Sequence, residues 1–134
     1  MTSTVLVKMN TCGKTHRITV SLRDDGDLDL VIVSDCKNVQ AYAEKIQKLS
    51  MDDITEFCNS VLNSPENRNL LSVPCLVPTG IFNAAWKEVG LLSKSLCESV
   101  GSNEVVLNIE WCQGYMISSS GFKPSNDPLF RGYI

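Results

Sequence analysis

The stretch THRITVSLRDDGDLDLVIV, residues 15–33, decides the fold. Over 15–23 the alternation is strict: Ile18, Val20 and Leu22 fall on one side, Arg17, Thr19 and Ser21 on the other. A period of two marks a strand with one buried face. Asp24-Asp25-Gly26-Asp27 then offers a reversing turn of the Asp-Gly kind. Residues 28–33 follow as a second strand, whose run Leu30-Val31-Ile32-Val33 predicts burial on both faces. Upstream, residues 4–9 are rich in β-branched side chains and alternate weakly, and Thr11-Cys12-Gly13-Lys14 reads as a turn. Three strands joined by short turns predict an antiparallel meander.

After residue 33 the period changes. Ser34 or Asp35 can cap a helix that starts near Cys36, with Val39, Tyr42, Ala43, Ile46 and Leu49 as its apolar stripe. Ser50 caps a second helix; Asp52, Asp53 and Glu56 suit its positive end, and Ile54, Phe57, Cys58, Val61 and Leu62 form its expected core face. Ser64-Pro65 opens a short third helix with Leu70 and Leu71. Pro74-Cys75-Leu76-Val77-Pro78 breaks helical geometry, because the residue before each proline is pushed towards extended backbone. Pro78 then begins the longest expected helix, 78–99, with Ile81, Ala84, Ala85, Val89, Leu92 and Leu96 inward and Lys87 and Glu88 on the solvent side. Residues 104–110 alternate Val105, Leu107 and Ile109 as a fourth strand. The expected fold is α+β: an antiparallel sheet with three or four helices on one face, in the order β-β-β-α-α-α-β. The domain spans 1–110, and 111–134 form a C-terminal extension.

That extension is rich in Gly, Ser and Pro, yet it holds Trp111, Tyr115, Phe122, Phe130 and Tyr133, five of the chain's nine aromatic residues. So much apolar surface argues for docking, on its own domain or in a homo-oligomer through 111–134. The whole chain has 134 residues, 43% of them hydrophobic and 20% charged, enough for one core without staples. Its net charge of −3 disfavours nucleic-acid and membrane-surface roles, which need a concentrated positive field. The first ten residues read as a strand, with no basic segment leading into an apolar one, and no run approaches the ~20 apolar residues of a membrane helix. A cytoplasmic location is therefore expected.

Six cysteines are many for such a chain in a reducing compartment. No CxxC spacing occurs, so the strongest signature of zinc ribbons and thioredoxin-like sites is missing. Cys12 falls in the first turn, Cys36 at the start of the first helix, and Cys75 just before the last long helix. A helix N-terminus favours thiolate, the form that binds metals and attacks electrophiles. Cys12 and Cys36 fall beyond the same end of the expected hairpin, and the Cys75 loop can reach that end. One reading is thus a three-thiolate site for zinc or an iron–sulfur cluster, with His16 or Asp35 as a further ligand. The second is a non-enzymatic interaction protein whose cysteines only pack. The third is a thiol-dependent enzyme with Cys36 as nucleophile. Cys58, Cys97 and Cys112 read as packing residues. The Asp24–Asp27 cluster reads as a solvated turn, because a calcium loop counted from Asp25 needs glutamate where Cys36 stands.

Thr11-Cys12-Gly13, Val33-Ser34-Asp35-Cys36 and Pro74-Cys75-Leu76-Val77-Pro78, in this order, resemble a small uncharacterised family of methanogenic archaea and anaerobic bacteria. That family carries Cys-Gly, Ser-Asp-Cys and Cys-Pro-Val-Pro motifs, and Leu76 stands where the first of those prolines is expected. The resemblance covers roughly 5–110. It implies that Cys12, Cys36 and Cys75 belong together, and it carries no assigned activity.

Overall fold

The computed structural model describes residues 1–112 and 115–118. Strands β1 (Thr2–Met9), β2 (Lys14–Leu22) and β3 (Leu28–Val33) form the expected meander, and a two-residue strand β4 (Lys48–Leu49) completes a four-stranded antiparallel sheet in the order β1-β2-β3-β4. The β1–β2 register runs without interruption from Thr2 opposite Ser21 to Met9 opposite Lys14. The first turn closes with the Cys12 amide donating to the Met9 carbonyl at 3.0 Å, and Gly13 takes φ 67. In the second, the Arg23 amide donates to the Asp27 carbonyl at 2.8 Å and Gly26 takes φ 90. Its aspartates face cations: Arg23 lies 3.5 Å from Asp25 and 3.1 Å from Asp29, and Lys48 lies 3.1 Å from Asp27. The backbone N–H of Asp27 does most to hold the Asp25 carboxyl below its ordinary range.

One face of the sheet is covered and the other is open. Val7, Met9, His16, Ile18, Val20, Leu28 and Leu30 are buried on the covered side. Thr4, Leu6, Lys8, Thr15 and Arg17 are exposed on the other. Val31 and Val33 lie on that open face, 59% and 64% exposed, so β3 is not buried on both faces as its run of apolar residues suggested. The run was ambiguous because it lacks the polar partners that set parity; the Arg17–Val33 and Thr19–Val31 pairing settles it.

Helices α1 (Lys37–Lys45), α2 (Met51–Thr55), α3 (Pro65–Arg68), α4 (Val77–Val89) and α5 (Lys94–Val100) follow. α4 lies across β1 and β2, and α1 packs on β3. The start of α4 sits at the Met9 end of β1, where the Leu76 amide meets Met9 Sδ at 3.5 Å, and Gly80 faces Val7 and Ile18. α4 therefore runs antiparallel to β1. Tyr42, Ile46, Leu49, Ile54, Leu62, Val77, Ile81, Ala84 and Ala85 close the core. Each large side chain among them contributes about 1.5–3 kcal/mol by leaving water.

Four helical expectations change. The first helix ends at Lys45, so Leu49 lies in strand β4 opposite Leu28 and not on the helix stripe. α2 stops after five residues, with Glu56 extended at φ −111, ψ 132. The Asp53 carboxylate accepts from the Ser50 amide at 2.9 Å and the Val61 amide at 3.1 Å, which folds the chain back instead of prolonging the helix. Phe57 and Cys58 are consequently exposed. The long helix ends at Val89 because Gly90 adopts the left-handed conformation, φ 84. Glu88 is only 5% exposed, and neither carboxylate oxygen has a hydrogen-bond partner among the described residues, so it belongs to the buried face rather than the solvated one.

The chain divides into two compact units, Met1–Val100 and Gly101–Ile134. No strand covers 101–108. In the second unit β5 (Ile109–Cys112) pairs antiparallel with β6 (Tyr115–Ser118), from Ile109 opposite Ser118 to Cys112 opposite Tyr115. The expected docking of 111–134 falls largely outside the described residues. Among the described residues, no helix is long and apolar enough to cross a membrane.

Candidate functional site

Cys36 occupies the N-cap position of α1 with extended backbone, φ −84 and ψ 119, and its side chain makes no capping bond. Its amide donates to Ser34 Oγ at 2.9 Å, and the same oxygen lies 2.8 Å from His16 Nδ1. His16 is 1% exposed, as its parity with Ile18 and Val20 required. Burial pushes its pKa down, while nearby Asp35 raises it and Lys14 lowers it. Asp35 itself pairs outward with Lys14 at 3.3 Å. Ser34 Oγ accepts from the Cys36 N–H and shares a second hydrogen bond with His16 Nδ1. The cluster thus ties β2 to the β3–α1 junction.

Cys12 is exposed in its turn, with Thr11 Oγ1 at 3.9 Å from its sulfur. Cys75 is half-buried against the core, and its amide donates to the Ser72 carbonyl at 3.1 Å. Cys36 also packs on the core. Among the described residues, no three Cys, His, Asp or Glu side chains converge to hold a metal ion. The described structure thus places Cys12, Cys36, Cys75, His16 and Asp35 without assembling them into a ligand set. Cys97 is half-buried.

A different site opens on the flank of α4. Pro78, Phe82 and Trp86 recur every four residues, so they form one stripe beside the core stripe of Val77, Ile81 and Ala85. Facing them are Ile54, Thr55, Glu56 and Phe57 from α2 and the loop after it, with Asn63 and Arg68 at the far side. Together they line a groove of about 460 Å³, within the ~300–1,000 Å³ range of ligand sites. Its walls are fixed by hydrogen bonds. Trp86 Nε1 donates to the Ile54 carbonyl at 2.7 Å, pinning the indole across α2. Asn63 Nδ2 donates to the Phe57 carbonyl at 2.9 Å and holds the loop. Even so, Phe57 is 76% exposed and Trp86 40%.

Arg68 supplies the groove's positive charge. Its guanidinium donates to the Ser72 carbonyl at 3.2 Å and the Val73 carbonyl at 2.9 Å, which fixes the head and leaves further N–H donors. No carboxylate pairs with it among the described residues. Its charge also reaches the Tyr42 hydroxyl, whose pKa burial pushes far up while Arg68 opposes the shift. Tyr42 donates to the Leu62 carbonyl at 2.8 Å, so α1 is locked to the segment behind the groove. Reading the sequence for thiols missed this site. The Pro78–Phe82–Trp86 spacing was its visible signal; the facing wall depended on where α2 stops.

The fold and groove define a two-layer α+β domain with a solvent-open aromatic cleft. The chain belongs to the family of unknown function DUF6951, which matches residues 3–100. No curated protein and no solved structure matches it.

Proposed function

We propose that the domain is a non-enzymatic binding module that takes an apolar or aromatic carboxylate in the groove of α2, α3 and α4. The ligand's hydrophobic body lies against Phe57, Phe82 and Trp86, and its carboxylate meets Arg68. The observation that carries this reading is Arg68, a fixed guanidinium without a carboxylate partner among the described residues, in a cleft that Phe57, Phe82 and Trp86 line together with Glu56, whose own carboxylate accepts from Asn59 Nδ2 at 3.0 Å. Guanidinium favours carboxylate through directed paired donors, and partial desolvation strengthens such bonds. Ring faces add contact at low entropic cost. The groove, rather than a cysteine-held metal or iron–sulfur cluster, supports the reading, because it brings its residues together.

Trp86 is its own reporter. In a Trp111→Phe background, titration with 4-phenylbutyrate should change Trp86 emission saturably. The corresponding amide should bind roughly tenfold more weakly, the loss expected for one charged hydrogen bond. Arg68→Gln should reduce the difference between acid and amide. No saturable change, or equal binding of acid and amide, overturns the proposal.

A further inference from the structure

The sheet ends on one side in a long strand with an unused edge. β1 has eight residues and, among the described residues, pairs only with β2, whereas the opposite end of the sheet is closed by the two-residue β4. Proteins blunt free edges with proline, bulges, charges or covering elements. β1 has no proline, its register with β2 contains no bulge, and its only charged residue is Lys8 near one end. Among the described residues, nothing pairs along its outer side.

We propose that β1 pairs antiparallel with β1 of a second copy of the chain, joining the two sheets into one. Opposite residues in such a ladder point to the same face, so the register must match covered positions with covered and open with open. A two-fold axis at Val5 does this. It sets Thr2 opposite Lys8, Ser3 opposite Val7, Thr4 opposite Leu6 and Val5 opposite itself. The two lysines then stand about 20 Å apart along the strands, beyond the screening length at physiological salt. On the open face Leu6, 59% exposed alone, gains a diagonal neighbour in the other Leu6. α4 straddles β1 and β2, so pairing brings the two α4 helices to about 10 Å, an ordinary helix-packing distance. The groove lies on the flank of α4 facing α2 and α3, and stays open.

The test is sedimentation velocity of the full chain over a wide concentration range, with hydrogen exchange at both ends of it. The expected result is a monomer–dimer equilibrium, with residues 2–9 gaining protection as concentration rises. Leu6→Lys sits on the exposed face and sets like charges diagonally across the axis, so it should weaken the dimer by roughly tenfold or more. A chain that stays monomeric at the highest concentration overturns the proposal. So does a dimer that Leu6→Lys leaves intact without added protection in 2–9, which would place the interface elsewhere.

Discussion

His16 is the chain's only imidazole, and it is held where charge is costly. Its pKa lies below the ordinary 6.5, with burial the largest cause. The unfolded ring takes a proton near 6.5, the folded ring only at lower pH. The unfolded state therefore binds more protons in that window, and stability drops as pH falls. The contribution is fully present above 6.5 and is lost as pH descends through the depressed folded value. Urea midpoints measured from pH 7.5 down to 5.5 should decline in the native chain, and His16→Gln should flatten the decline. Parallel slopes in the two proteins would remove His16 as the cause.

The helix α4 shows how closely one element can rest on another. A helical glycine ordinarily costs ~0.5–1 kcal/mol relative to alanine, so Gly80→Ala would stabilise an exposed helix. Here a Cβ at position 80 would collide with Cγ2 of Val7 and reach 2.9 Å from Cδ1 of Ile18. The Val7 branch sits directly on its Cβ and cannot swing aside as a flexible side chain would. Overpacking of this kind costs about 1–3 kcal/mol. Gly80→Ala should therefore lower the thermal midpoint, and the double change with Val7→Ala should recover much of the loss. A stabilised single variant would mean that α4 lifts from the sheet freely. The interior of α4 was readable from the spacing of Ile81, Ala84 and Ala85, but its depth was not, because a pattern reports facing and not distance. Glu88 was misread for a related reason: its charge outweighed its place eleven residues after Val77 on the same stripe. α2 failed differently. Ser50 and Asp53 announced its start, yet the same Asp53 also accepts from Val61, a bond eight residues away that no local pattern contains.

At the scale of the molecule, the meander was legible because alternation and turn chemistry agree over 15–33, so local and long-range preferences coincide. The candidate groove was not, because it assembles from three separated segments and only α4 carries a periodic signal. The cysteines drew attention by chemistry, and chemistry alone does not bring chain-distant sulfurs together. Among the described residues, every member of the buried hydrophobic core lies between Val7 and Ala85. The first compact unit is Met1–Val100, and the family match covers 3–100. A domain whose core is complete within such a length should need nothing further to fold. A fragment of residues 1–100 should therefore unfold cooperatively, with the same transition by far-UV circular dichroism and by emission from Trp86, its one remaining tryptophan. Because the indole is tied to the Ile54 carbonyl, its emission reports the wall between α2 and α4 and not only the loss of helix. Non-coincident transitions, or a fragment that aggregates without a transition, would show that residues beyond 100 supply part of the stability of the domain.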